Sequence, residues 1–354
     1  MPFNHFRFLI FPLLQAWTII CLAIGGPMIF AGYQAILIGL LISDQFLGQY
    51  EPAPESESRL LRMMPVISLA LHIVVFVQTL SLIATTGLTS TYGIALIVYL
   101  TLQLSALSAH NAVANSHELM HQPSRMSFFL AQFLAAFSFR PSSVIDHVYG
   151  HHRHIGLQED NATARPGENC WRFLLRTLVG TEVFSYRFER ERLARRGHPV
   201  WHWQNRHLQG LACIPVLCAA ALLAGGITGL VAFVASALLG SAIVEAGNYI
   251  AHYGLVRVPG TRFAERHSWN NLNTLSTSLL LNLPRHSDHH MNPETDYWEL
   301  KKPSAAPQHR FGFMVMTFFA FFPRLFFAVT EHELQHWLKH YATPQERALF
   351  ASYG

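Results

Sequence analysis

The hydrophobic pattern divides the chain into long apolar runs joined by short polar breaks. Residues 8–25 and 27–43 contain no Asp, Glu, Lys or Arg and are separated by a Gly-Gly-Pro turn. Each run is just long enough to cross a hydrocarbon core about 30 Å thick. The second follows at once, with no small-residue cleavage site between, so the pair reads as a membrane hairpin and not as a leader. Residues 65–85 and 93–109 repeat the arrangement over a polar turn, and 208–225 and 227–244 repeat it again over Gly225 and Gly226. Two further apolar stretches, 127–139 and 311–329, are too short or too interrupted (Pro323, Arg324) to cross, and read as interfacial or re-entrant.

The fourth run continues without Gly or Pro from Gly93 to His121. As one helix at 1.5 Å per residue this stretch would be about 43 Å long, more than the core thickness. His117 and His121 should therefore stand just above the membrane. The sixth run continues through Glu245 and Asn248 to His252, which reaches the same height. The expectation is an all-α polytopic membrane protein, one domain over 1–354, with six crossings and a helical cap formed by 110–206 and 245–354.

Composition agrees. Charged residues make up 13% and apolar residues 51%, against about 25% charged in a typical soluble protein. The net charge of +4 comes with no basic run suited to nucleic acid. The four cysteines form no Cys-x-x-Cys pair, which excludes a disulfide frame or a zinc knuckle. Segment 140–206 holds eleven arginines and no lysine. Three hairpins put both termini, this segment and every histidine cluster on one side, which the positive-inside rule makes cytoplasmic.

Histidine is the outlier: 21 residues, as many as Asp and Glu combined. His286, His289 and His290 stand at i, i+3 and i+4, so one helical face carries all three. His117 and His121 stand at i, i+4; His147, His151 and His152 at i, i+4 and i+5; His252 is single. Neutral imidazole ligates Zn, Cu, Fe and Ni. Nine imidazoles exceed the four ligands of one tetrahedral zinc and suit two metals with open positions. Glu118, Asp146, Glu245 and Asp288 lie within a few residues of these histidines and are candidates to orient the ring nitrogens; for Asp146 and Asp288 helix N-capping is the plainer role. His154 and His267 adjoin the clusters. His72 reads as hydrogen-bonded to another helix within its span, His110 as either an outer partner of the ligands or a satisfied polar residue, and His5, His198, His202, His207, His309 and His340 as surface or interfacial side chains.

Two stretches, His117-Glu-Leu-Met-His121 and His332-Glu-Leu-Gln-His336, spell the H-E-x-x-H pattern of zinc proteases. The first belongs to the larger constellation. The second has no evident third ligand and reads as a solvated helix face, so a membrane zinc metalloprotease is a minor alternative.

These motifs resemble the integral-membrane alkane monooxygenases and the related xylene monooxygenase hydroxylase subunits, within the fatty acid desaturase-like superfamily. The stretches that carry the resemblance are His-Glu-Leu-Met-His at 117–121, Asp-His-Val-Tyr-Gly-His-His at 146–152, Asn-Tyr-Ile-Ala-His-Tyr-Gly-Leu at 248–255, Arg-His-Ser-Trp-Asn at 266–270 and Arg-His-Ser-Asp-His-His-Met-Asn-Pro at 285–293. The resemblance implies a non-haem di-iron centre held by His117, His121, His147, His151, His152, His252, His286, His289 and His290. It also implies hydroxylation of a terminal or benzylic methyl group of a hydrophobic hydrocarbon by O2, in a bacterial inner membrane. Electrons would come from a rubredoxin or ferredoxin with its reductase. Fatty acyl desaturation or hydroxylation is the alternative on the same irons. One departure is Ala251, where the family usually has Glu, and the tail at 341–347 is closer to the xylene-type end.

Overall fold

The computed structural model describes residues 3–49 and 59–353. Among these residues every regular element is helical, and extended pairing is limited to two isolated bridges, Gln49 with Asn273 and Asn270 with Gln308. In chain order the α-helices are α1 (Ile10–Ile24), α2 (Tyr33–Asp44), α3 (Arg59–Thr85), α4 (Thr91–His110), α5 (Ser116–His121), α6 (Arg125–Ala136), α7 (Ser143–Asp146), α8 (His152–His154), α9 (Cys170–Ala194), α10 (Arg206–His252), α11 (Thr274–Leu279), α12 (His286–Met291), α13 (Phe313–Ala320), α14 (Pro323–His340) and α15 (Pro344–Ala351). Among the described residues five helical stretches are long and apolar enough to cross a membrane: Phe6–Ile24, Gly26–Asp44, Arg59–Thr85, Thr91–His121 and Arg206–His252.

The last of these is not one straight rod. Gly226 has φ 61° and ψ −159°, outside the helical region. Only glycine adopts that backbone without a Cβ penalty, so the Gly225–Gly226 pair supplies a break within α10.

The chain forms two compact units. One comprises Met1–Leu40, Glu57–Val144 and Glu189–Val244; the other comprises Leu41–Ser56, Ile145–Phe188 and Glu245–Gly354. The first unit packs its long helices through their few polar side chains. Gln15 donates to the Ser68 carbonyl at 3.1 Å, and Thr18 accepts from the Tyr33 amide at 3.0 Å. His72 reaches Ser108 Oγ at 3.1 Å, and His110 meets the Tyr33 hydroxyl at 2.9 Å while stacking on Phe11. Each of these histidines thus has one ring nitrogen partnered within the helix bundle. Glu189 lies fully buried between Arg192 and Arg206, each with a guanidinium nitrogen 2.6 Å away. Burial alone would raise its carboxyl; the hydrogen bonds and charges of the two arginines bring it below the ordinary value.

The uninterrupted helix expected from Gly93 to His121 has a π-helical turn, Asn111–Asn115, inserted before α5. Asn111 Nδ2 donates back to the Leu107 carbonyl at 3.0 Å, and Asn115 Nδ2 to Asn111 Oδ1 at 3.1 Å. The two amides brace the widened turn, which re-aims the α5 histidines about the helix axis. No Gly or Pro marks the insertion, so periodicity alone does not find it.

The second unit is built on aromatic packing. Phe173, Tyr249, Tyr253, Trp269, Phe326 and Trp337 share one buried cluster. Asp44 caps α11, accepting from the amides of Leu275 and Ser276 and from Ser276 Oγ. The 311–329 stretch, expected as interfacial or re-entrant, is two helices meeting at Phe321 and Phe322. Pro323 does not interrupt a helix; it opens α14, where its missing N–H leaves nothing unsatisfied. His207 and His309, expected at the surface, are buried. His207 Nδ1 lies 3.2 Å from Ser142 Oγ in the first unit, and His309 reaches Glu333 Oε2 and the Ile250 carbonyl in the second.

Candidate metal centre

Three segments of the second unit supply histidines to one place. α12 presents His286, His289 and His290 from a single face, as their spacing requires. His252 is the last residue of α10. His147–His151 is a π-helical turn that runs on into His152. That turn resolves an awkward spacing. On an α-helix, residues i and i+5 point about 140° apart, yet His147 Nε2 and His152 Nε2 are 3.0 Å from each other. The wider π turn brings i and i+5 onto one face. Gly150 permits it: a Cβ there would stand 2.5 Å from Asp146 Oδ1 and 2.9 Å from the Phe184 ring.

His151, His252, His286 and His290 are all buried, and their donor nitrogens lie within 4.8 Å of one another. A second group, His152, His289 and His290, meets the same criterion. In the first unit His117 and His121 share one face of α5, with ring centroids 5.0 Å apart.

Hydrogen bonding alone does not account for the four-histidine cluster. His286 Nε2 is 3.0 Å from both His252 Nε2 and His290 Nε2. His252 Nδ1 donates to the His267 carbonyl at 3.2 Å, so in the neutral ring its Nε2 carries a lone pair. His286 Nε2 bears at most one hydrogen and cannot satisfy both neighbours. A cation at the common point would. Metal–nitrogen bonds of about 2.1 Å at right angles set nitrogens about 3.0 Å apart. Burial, reinforced by the neighbouring rings, holds His286 and His290 well below the ordinary imidazole value, so both are neutral and offer lone pairs. Four converging imidazoles fit a borderline transition metal.

The cluster rings are held by partners the sequence pattern did not single out. His151 Nδ1 donates to Asp160 Oδ2 at 2.8 Å, leaving Nε2 to face the cluster. Asp160 in turn accepts from Thr163 Oγ1 at 2.6 Å and from the Ala162 amide at 3.0 Å. Burial would raise this carboxyl; the His151 charge and hydrogen bond, then Thr163 and Ala162, bring it below the ordinary value. Asp160 sits in a loop nine residues from His151, and helical spacing says nothing about loops. Its signal was the Asp-Asn-Ala-Thr turn at 160–163.

His252 is oriented from further away. Its acceptor, the His267 carbonyl, belongs to a segment gripped by the C-terminal tail. Glu346 accepts from His267 Nε2 at 2.7 Å, from Arg266 Nε and Nη2 at 3.0 Å, and from the Thr343 amide at 2.7 Å. Trp337 Nε1 donates to the Arg266 carbonyl at 2.7 Å. Burial opposes the Glu346 charge, but His267 and Arg266 hold its carboxyl well below the usual range. On the same segment, Ser287 at the start of α12 donates to the Glu265 carbonyl and accepts from Asn270 Nδ2.

The carboxylates singled out from spacing sit as follows. Asp146 accepts from Thr181 Oγ1 at 2.8 Å and Asn161 Nδ2 at 3.2 Å, and burial, with Asp160 nearby, pushes it up to about 6. Asp288 accepts from Asn292 Nδ2 and from the Lys301 amide. Glu245 is buried and accepts from Asn248. Glu118 is half-buried on α5. In the tail, His332 and His336 lie on the exposed face of α14, whereas Glu333 turns inward onto His309 Nδ1 at 2.7 Å and the Arg310 amide at 2.7 Å. A glutamate facing away from both histidines cannot serve as base to a water they would hold.

A family model described as fatty acid desaturase matches residues 95–310, which contain every one of these histidine clusters. The chain belongs to the fatty acid desaturase family. Within the family it is similar to alkane 1-monooxygenase 1 of Alcanivorax borkumensis, 32% identical over 83% of this chain and 74% of that protein. It is also similar to the xylene/toluene monooxygenase hydroxylase component of Pseudomonas putida, 33% identical over 70% of this chain and 67% of that protein. The alkane 1-monooxygenase of Ectopseudomonas oleovorans is 30% identical over 67% of this chain and 62% of that protein.

Proposed function

We propose that this desaturase-family protein is a membrane non-haem di-iron monooxygenase that hydroxylates a terminal or benzylic methyl group of a hydrocarbon. The observation that carries the reading is the buried cluster of His151, His252, His286 and His290, whose ligating nitrogens lie within 4.8 Å of one another. The relatives named for alkane and xylene/toluene oxygenation give it its substrate class. The ligand set is His117, His121, His147, His151, His152, His252, His286, His289 and His290, shared between two irons. Bound iron would supply O2 activation, placing one oxygen atom in the C–H bond and releasing the other as water. The residues of the chain hold the ligand nitrogens unprotonated: Asp160 through His151 and the His267 carbonyl through His252.

The break at Gly226 supports two crossings in α10 and six in all. Arginine placement supports a bacterial inner-membrane protein with termini and histidines on the cytoplasmic side. The proposed electron donor is a rubredoxin or ferredoxin with its reductase.

The test is a competition assay in membranes with such a donor system, O2, a medium-chain alkane and a methylarene, with products read by mass spectrometry. A primary alkanol or a benzylic alcohol is expected, and which one predominates assigns the branch. An unsaturated product from an acyl substrate, with neither alcohol, would replace the reading with desaturation. His252→Ala is expected to abolish turnover; full activity in that variant would refute the ligand set.

A further inference from the structure

Helix α9 is amphipathic in the inverse sense. Its buried series is Cys170, Phe173, Thr177, Thr181, Ser185, Glu189 and Leu193, four of seven of them polar, and Thr181 donates its hydroxyl to Asp146. Its outward series is Trp171, Leu175, Val179, Val183 and Tyr186, with Leu175 68% and Val179 66% exposed. A helix that faces water places these groups the other way round. The stripe runs about 22 Å along the helix at 1.5 Å per residue. It continues onto a neighbouring element: Trp171 Nε1 donates to the Phe321 carbonyl at 3.2 Å, and beside it Phe318, Phe322 and Leu325 are exposed. Isolated apolar side chains on a surface are ordinary, but a continuous stripe of this kind marks an interaction face.

We infer that this face rests on a phospholipid surface, so that α9 lies in the headgroup boundary of the bilayer. Charge placement selects lipid as the occupant. Exposed arginines stand at both ends of the stripe, Arg172 at one and Arg187 at the other. Long cationic side chains there reach lipid phosphates while their stems cover apolar surface. Glu182, the acid within the stripe, is half-buried at mid-length, which sets a shallow seat rather than immersion in hydrocarbon. Small aliphatic side chains between terminal Trp and Tyr are also the distribution of an interfacial helix, since the amphipathic rings belong at the headgroup level. The inference extends the membrane reading to an element that is not a crossing, and it is independent of the metal.

The test places p-benzoylphenylalanine at Leu175, Val179 or Val183 in the full chain, reconstituted in nanodiscs of mixed phosphatidylcholine and phosphatidylglycerol. Photolysis is followed by mass spectrometry. Leu223, an exposed apolar position on α10, is the lipid-facing reference, and His336, on the exposed face of α14, is the water-facing one. Phospholipid adducts at all three stripe positions and at 223, but not at 336, are expected. Adducts at 223 with none on the stripe would overturn the inference. So would a covalent dimer, which would assign the face to a second copy, or an adduct to an added acidic electron-transfer protein. Lipid adducts on the stripe in a protein that binds no iron would leave the inference standing while the proposed function fell.

Discussion

Replacing Asp160 by asparagine tests how the cluster is kept ready for a metal. The carboxylate accepts three hydrogen bonds, from His151 Nδ1, Thr163 Oγ1 and the Ala162 amide, at 2.6–3.0 Å. Asparagine keeps the shape but offers one acceptor oxygen and one amino group. With the oxygen toward His151, the amino group confronts the Ala162 N–H. Reversed, the amino group donates to His151 Nδ1 and drives the ring proton onto Nε2, the atom that should ligate. Either way one charge-assisted bond is lost in a buried site, about 1.5–3 kcal/mol. Outer partners of metal-ligating histidines are typically worth about 10–100-fold in metal affinity, the same range. Ferrous iron affinity, measured by chelator competition on purified protein, should fall by that factor in Asp160→Asn, and one equivalent should be released before the other. The defect has a pH signature. Because the folded carboxyl lies below its ordinary value, its contribution is complete above the ordinary Asp range, about 4, and fades as pH falls through the folded value. The gap between wild type and variant therefore narrows in acid. Equal iron affinity in the two proteins at neutral pH would refute the assignment of Asp160 as the group that orients His151.

Glu346→Gln removes the charge that grips Arg266 and His267, and should loosen iron held through His252 by about tenfold or less, being one step further from the ring. Thr343→Ala breaks the same helix cap without touching His267 and should leave iron release unchanged; equal effects in the two variants would mean that Glu346 acts only as a cap. The double variant His332→Ala, His336→Ala should retain full metal content by elemental analysis, since both side chains lie on the outer face of α14, and loss of metal would reopen the tail as a site. Glu189→Ala strands Arg192 and Arg206 and should destabilise the protein by about 3 kcal/mol in thermal melts, the low end for a broken buried pair because both guanidinium groups are partly exposed. An unchanged melt would show that the pair contributes little to folding.

The sequence by itself determined the class of protein. Long charge-free runs can satisfy their backbone groups in lipid only as helices, so composition and run length dictate membrane helices without reference to tertiary contacts. It also named the histidines that the structure gathers in the second unit, because a fixed helical spacing puts i, i+3 and i+4 on one face wherever the helix is placed. The tertiary structure decided what periodicity cannot express. The π turns at 111–115 and 147–151 change which residues share a face; no residue type marks the first, and the second shows only a glycine, Gly150, which does not by itself announce a widened turn. Asp160 and the His267 carbonyl reach the cluster from loops, and Glu346 in the tail holds His267. A loop residue has no period, and a backbone carbonyl has no letter of its own in the sequence. The orientation of each imidazole was therefore legible only once the chain had folded and brought distant acceptors to the rings.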